Sequence, residues 1–182
     1  DELLAHVEEL VGAIGVPLNV DAERCFADDP SGVAVTVQLL ADAGASGISI
    51  EDWNPATGTI DPADVAAERV AAAVEVADAN GIVLTARAEN HIRGVDDLDD
   101  TINRLVAYRD VGAHCLYAPG PTSVSAIERI VNEVDVPINV LLLPGGPPID
   151  VLESIGVRRV STGGALARTA YASIEAATAD LR

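Results

Sequence analysis

Pro17-Leu-Asn-Val-Asp21 is followed, across the pair Asp29-Pro30, by Gly47-Ile-Ser-Ile-Glu51. Both flanking runs are short, rich in branched residues and end on a carboxylate. The segment between them places Val33, Val37 and Leu40 on one helical face. An aspartate ahead of proline reads as a helix N-cap followed by the first helical position, and the pair recurs at Asp61-Pro62. The segment therefore predicts strand, helix, strand.

The same alternation extends in both directions. Strands are predicted at Pro17 to Asp21, Gly47 to Glu51, Ile82 to Arg87, His114 to Ala118, Pro137 to Leu143 and Val157 to Thr162. Gly15, Gly44, Gly81 and Gly112 read as helix stops. The chain opens on a helix whose apolar face is Leu3, Val7, Leu10 or Val11, and Ile14. Apolar strands separated by amphipathic helices imply a parallel sheet covered by helices, either doubly wound or closed. No G-x-G-x-x-G follows a strand, which disfavours the dinucleotide-binding form. The expected fold is α/β, a parallel (β/α)8 TIM-type barrel. Six strands against the barrel's eight predict that the first two βα units are missing from this chain. Residues 1–182 read as a single, N-terminally incomplete barrel domain, with no linker-like segment inside it.

Composition narrows the partners. With 29 acidic against 11 basic residues, the chain carries a formal charge of -18, a field that repels phosphate backbones and anionic lipids. Neither nucleic acid nor membrane is expected as a partner. Every basic residue is arginine, as in high-salt or GC-rich origins. Cys25 and Cys115 form no C-x-x-C pair, no apolar run reaches the roughly 18 residues of a membrane span, and no signal peptide is recognisable. A cytoplasmic location is expected. The absence of methionine marks the chain as processed or as a piece of something longer.

In a β/α barrel the site is built at the C-terminal strand ends, and here those ends are polar. Asn19, Asp21 and Glu23 alternate at the first, Ser49 and Glu51 at the second with Asp52 opposed, and Thr85, Arg87 and Glu89 at the third; Asn139 lies early in the fifth. Alternation predicts one face for each set. Carboxylates crowded around one arginine need a counter-charge, and an oxygen-only donor set favours Mg2+ or Mn2+ at Asp21, Glu23 and Glu51. The other reading is that these acids are solvated loop residues. Arg87 has the fork geometry to grip a ligand carboxylate or phosphonate, or it neutralises Glu51 or Glu89. Cys25, among acids, is expected to stay a thiol, and Cys115 to be core. His91 is a loop histidine within reach of acid–base work, while His6 and His114 read as structural. Ser161-Thr-Gly163-Gly164 and the Gly145-Gly146 turn resemble phosphate-holding loops or are ordinary turns.

Taken together, Pro17-Leu-Asn-Val-Asp21-Ala-Glu23, Gly47-Ile-Ser-Ile-Glu51-Asp52, Thr85-Ala-Arg87-Ala-Glu89, Gly112-Ala113, Pro137-Ile-Asn139-Val and Gly156-Val-Arg-Arg-Val-Ser161-Thr-Gly163-Gly-Ala-Leu-Ala-Arg168 resemble the isocitrate lyase and phosphoenolpyruvate mutase superfamily, in its short, mutase-like branch. The resemblance implies that Asp21, Glu23 and Glu51 hold magnesium directly or through water. It implies that Arg87 binds the substrate's acidic group, with Asn139 and Ser161 beside it. It also implies a small 2-oxo acid substrate, a metal-stabilised enolate, and a homo-oligomer with a swapped C-terminal helix in many members. Four features depart from the pattern: Arg24-Cys25-Phe26 replaces a Gly-Tyr-Gly-like loop, the Lys-Lys-Cys-Gly-His motif of the true lyases is absent, which argues against isocitrate lyase activity, Trp53-Asn-Pro-Ala-Thr-Gly58 lacks the lysine of characterised mutases, and the family's first two βα units have no counterpart. The expected activity is a carbon–carbon lyase of oxaloacetate- or alkylmalate-type acids. The alternatives are a phosphoryl-moving mutase and a non-catalytic interaction barrel.

Overall fold

A computed structural model describes residues 2–179. Helix α1 (Glu2–Ala13) leads into β1 (Asn19–Asp21), α2 (Pro30–Asp42) and β2 (Gly47–Glu51). A hairpin of β3 (Trp53–Asn54) and β4 (Thr59–Ile60) follows, then α3 (Ala63–Asn80), β5 (Val83–Arg87), a 3-10 turn (His91–Arg93) and α4 (Leu98–Asp110). The chain closes with β6 (Cys115–Tyr117), α5 (Val124–Val134), β7 (Ile138–Leu141), α6 (Ile149–Ser154), β8 (Arg159–Ser161) and α7 (Ala165–Ala179). Six strands form one sheet in the order β1-β2-β5-β6-β7-β8, all parallel. The sheet curls: Arg159 on β8 donates from Nη2 to Thr85 Oγ1 on β5 at 2.9 Å, across the two strands between them. This is the expected parallel α/β class, a partial TIM-type barrel.

The two faces of the sheet differ. Val20, Ile48, Ile50, Leu84, Ala86, Leu116, Ile138 and Val140 point outward and are buried in the core shared with the helices. The inward residues between them are mostly polar, so the expected near-continuous apolar strand is apolar on one face only. Val33, Val37 and Leu40 are buried as the α2 periodicity predicts. On α1 only Val7 is buried, because the helix stops at Ala13 and leaves Ile14 exposed.

The two Asp-Pro signals diverge. Asp29 caps α2, its side chain accepting from Gly32 N at 2.8 Å with Pro30 in the first turn. Asp61 does not cap α3; Pro62 takes the cap position without a side-chain bond. Asp61 is buried and its Oδ2 accepts from Arg24 Nε at 2.8 Å. A buried guanidinium competes better for that carboxylate than a solvated backbone amide does. Gly81 ends α3 in the left-handed conformation, φ 65°, where its N–H reaches back to Ala77 and Asp78. The hairpin was not foreseen: its strands are two residues each. Trp53 lies under the Arg93 guanidinium, 4.2 Å from the ring centroid.

Candidate active site

The strand register turns scattered residues into two rows. At the C-terminal level, Glu51 pairs with Arg87, Arg87 with Tyr117, Tyr117 with Asn139 and Asn139 with Arg159. One step lower, Asp21 pairs with Ser49, Ser49 with Thr85 and Thr85 with Cys115. A cavity of about 530 Å³ opens on this face, lined among others by Asp21, Ser49, Arg87, Tyr117, Asn139, Arg159 and Ser161.

Arg87 organises one side of the cavity. Its Nη1 is 2.8 Å from Asp21 Oδ2, its Nη2 is 3.1 Å from Glu51 Oε2, and both Nε and Nη2 meet Glu89 Oε1 at 3.0 and 2.8 Å. Burial and the neighbouring Glu89 carboxylate push the Glu51 carboxyl up to about 7, against the pull of Arg87. Burial raises Glu89 as well, and its Oε2 has no hydrogen-bond partner. Burial alone would lower Arg87, but Glu89, Asp21 and Glu51 hold it above the ordinary arginine value. These acids therefore outnumber the positive charge that touches them. Arg93, 3.5 to 3.6 Å from Glu89 and Glu51, helps only from its partly exposed position.

Asp21 and Glu51 are brought together through Arg87, whereas Glu23 stands apart. The alternation that put Asn19, Asp21 and Glu23 on one face ends with β1 at Asp21. The chain then turns, and Glu23 takes φ 48° with its side chain in solvent. Among the described residues no three carboxylate, imidazole or thiol groups form a ready-made metal cluster. Asp52 is opposed to Glu51 as expected; it accepts from Glu89 N, Tyr108 OH and Arg104 Nη1, joining the ends of β2 and β5.

On the other side of the cavity stands Arg159, which the sequence reading did not single out. Its Nε donates to Asn139 Oδ1 at 2.9 Å, and Asn139 Nδ2 donates to Ser161 Oγ at 3.0 Å. Among the described residues no carboxylate pairs with it. The signal was available, since Arg159 and Ser161 are two apart on one strand and so share a face. Tyr117 was also missed; burial raises its phenol, which stays protonated at neutral pH.

The remaining candidates are peripheral. Cys25 is a thiol pushed up to about 12, by burial first and Asp21 second, with Arg69 opposing; neighbouring acids were expected to be the main cause. Cys115 is buried beneath the cavity. His91 Nδ1 meets Asp96 at 3.1 Å, and His114 accepts from Leu84 N at the N-terminal end of the sheet, a structural place. Ser161 and Gly163 reach the cavity, while Gly145-Gly146 is not among its lining residues.

The profile of the phosphoenolpyruvate phosphomutase family matches residues 1–182. A relative described as 2-methylisocitrate lyase 2, from Corynebacterium glutamicum, is 30% identical over 99% of this chain and 61% of its own. A crystal structure described as a lyase/mutase from Burkholderia cenocepacia superposes with a TM-score of 0.94 at 46% identity, over 100% of this chain and 67% of that one. A phosphonopyruvate hydrolase solved with oxalate and Mg2+ shares the fold, with a TM-score of 0.83 at 23% identity over 98% of this chain and 65% of that one. The chain spans roughly half to three fifths of the curated relatives it matches.

Proposed function

The chain belongs to the phosphoenolpyruvate phosphomutase family, and from that premise we propose that it serves a Mg2+- or Mn2+-dependent carbon–carbon lyase acting on a small 2-oxo acid such as oxaloacetate or on a related acid of the alkylmalate type. The observation that carries the proposal is the two-sided cavity. Asp21, Glu51 and Glu89 surround Arg87 on one side, and Arg159 stands without a carboxylate on the other.

A hard divalent ion fits the donor chemistry of the first side. The donors are all oxygen, the Glu89 Oε2 is buried without a hydrogen-bond partner and only 3.5 Å from the partly exposed Arg93, and burial drives Glu51 toward its protonated form, as in a site short of positive charge. Asp21 and Glu51 would hold the ion, with Glu23 reaching it through water. When bound, it would supply charge neutralisation and Lewis acidity toward the 2-oxo acid end of the substrate.

The chain's own groups account for the rest. Arg87 balances the substrate's acidic end, and Arg159, steadied by Asn139 and Thr85, receives a second acidic group beside Ser161. With both ends of oxaloacetate held, the bond between C3, the carbon next to the 2-oxo group, and the C4 carboxylate beyond it breaks heterolytically. Its electron pair moves through C3 onto the 2-oxo oxygen to give an enolate, and C4 leaves as CO2. An alkylmalate, a 2-hydroxy acid, would instead lose its hydroxyl proton to water as its C2–C3 bond breaks, so that C2 departs as the 2-oxo acid and the electron pair stays on C3 beside the second carboxylate. A proton on C3 completes the reaction, giving pyruvate from oxaloacetate. Tyr117, held protonated by burial, is a proton source that lines the cavity.

A phosphoryl-moving mutase is the second reading, favoured by Ser161 and Gly163 at the cavity wall, where a phosphoryl group would meet a turn leading into a helix. Oxaloacetate, a substituted malate and phosphonopyruvate, each tested with Mg2+, separate the two. Pyruvate released from oxaloacetate supports the lyase, and isomerisation of phosphonopyruvate supports the mutase. No turnover of any of the three overturns both. Calorimetry should show Mg2+ binding that the Asp21→Ala, Glu51→Ala double variant loses; unchanged affinity removes those ligands from the proposal.

Self-association is part of the same reading. Among the described residues β1 and β8 each have one strand neighbour, and α7 exposes Leu166, Tyr171 and Ile174 at 71%, 69% and 58%. A dimer or larger is expected by light scattering, and a monomer at micromolar concentration would refute it.

A further inference from the structure

The loop from Ala22 to Asp28 joins the acidic end of β1 to α2, and its backbone is strained. Glu23, Cys25 and Phe26 hold φ of 48°, 57° and 50°, a left-handed region that side chains other than glycine avoid. Such conformations persist only where the surroundings over-determine them, and here the restraints can be named. Glu23 O accepts from Glu51 N at 2.8 Å, and Cys25 O from Thr36 Oγ1 at 2.8 Å. Arg24 O accepts from Arg69 Nη2 at 2.6 Å. Ala27 O accepts from both Arg69 Nη2 and Arg24 Nη1, at 2.8 and 2.9 Å.

Two arginines thus hold one loop from beneath, and both are buried: Arg69 is 2% exposed and Arg24 is 8%. Between them lies buried Asp61, 2.8 Å from Arg24 Nε and 3.9 Å from Arg69 Nε. Asp28, the other acid near Arg24, is in solvent. Arg69 Nε and Nη1 have no hydrogen-bond partner. Burying two guanidinium groups around one buried carboxylate is an expensive way to fill space, and an apolar side chain would do that better. What the arginines supply, and an apolar residue cannot, is a set of donors aimed at the carbonyls of a bent backbone.

We infer that Arg24, Asp61 and Arg69 are positioning residues, a clamp that holds the 22–28 loop in its left-handed path and thereby fixes the carboxylate of Asp21. The connection is short. Glu23 N donates to Asp21 Oδ1 at 3.3 Å, Ser49 Oγ donates to the same oxygen at 3.2 Å, and Glu23 O receives Glu51 N. A shift at Glu23 therefore reaches Asp21 and the end of β2 together. The clamp also grips the hairpin that follows Glu51, because Asp61 N donates to Asp52 O at 2.8 Å. The inference rests on the reading of Asp21 as a metal-holding group.

The test compares the wild type, Arg69→Lys, and Arg69→Lys combined with Phe26→Gly. Phe26 is exposed, so glycine there relieves the left-handed strain without opening a cavity. In Arg69→Lys, amide exchange of residues 22–28 should accelerate while the α2 and α3 core amides stay protected. Calorimetric Mg2+ affinity should fall by about 10- to 100-fold, as for other groups that orient a ligand without touching the ion. The added Phe26→Gly should recover most of both losses. Loop exchange that does not change overturns the clamp, as does lost affinity that glycine fails to restore. If the wild type binds no Mg2+, the metal reading of Asp21 fails and the exchange data alone decide the clamp. If Arg69→Lys does not fold, Asp61→Asn, which keeps the shape and removes the shared charge, is judged by the same measurements.

Discussion

Outward-facing Leu84 and inward-facing Thr85 are neighbours in sequence, and both are completely buried. Leu84 belongs to the hydrophobic core shared by the sheet and its helices. Thr85 accepts a hydrogen bond from Arg159 inside the curl of the sheet. The contrast repeats along each strand: Ile50 against Glu51, Ala86 against Arg87, Ile138 against Asn139. The outer face is stabilised by apolar area removed from water, which tolerates any well-shaped hydrophobic residue. The inner face depends on pairing, where each group needs a particular partner and the loss of one leaves another buried and unsatisfied. One face therefore holds the fold together, and the other carries the candidate site.

Removing the centre of the inner face should have the largest effect. Arg87→Ala leaves Glu51 and Glu89 buried without their main counter-charge and should destabilise the metal-free protein by about 3–5 kcal/mol. Thermal or urea unfolding with and without Mg2+ checks it, and added Mg2+ should return part of the loss. A small change would mean that the three acids do not depend on this arginine.

The outer face is probed by Leu84→Ala, expected to cost about 2–5 kcal/mol through lost transfer energy and a residual cavity. Its Mg2+ affinity, measured below the unfolding transition, should match that of the wild type. A parallel loss of affinity would break the separation between the faces.

Arg159→Gln sharpens the inner face further. Binding of oxaloacetate with Mg2+ should weaken by about 1.5–3 kcal/mol, the range for a hydrogen bond to a charged group, while pyruvate, which lacks the second acid, should be unaffected. Equal losses for the two ligands would remove Arg159 from the second-acid role. Thr85→Val, nearly isosteric, should cost only about 1 kcal/mol of stability through the bond to Arg159.

The smallest effect is expected at the thiols. Cys25 is fully buried and pushed up to about 12, and Cys115 is 4% exposed and also raised by burial. A disulfide reagent at pH 8 should label neither in the native protein and both in denaturant. Rapid native labelling of Cys25 would show that the loop after β1 opens.

The sequence alone determined the alternation of helices with the six sheet strands, though not the β3–β4 hairpin, and the gathering of acids at the C-terminal strand ends. These follow from local rules: two-residue alternation, helical periodicity, Asp-Pro capping at Asp29 and left-handed glycine at Gly81 act within a few residues. It also set Asp21, Glu51 and Arg87 at strand ends, whereas the strand register put Asn139 and Ser161 on inward positions. What only the tertiary structure decided is which groups meet. Arg159 finds Thr85 74 residues away, Arg87 finds Asp21 across 66, and Arg24 takes Asp61 across 37 and denies it to the α3 cap. Glu23 left the face its spacing assigned because the backbone turned left-handed just beyond β1, held by Arg69 from a helix later in the chain. Periodicity tells which face a side chain is on; register, curl and competition for buried charge choose its partner, and those act between segments that local pattern does not connect.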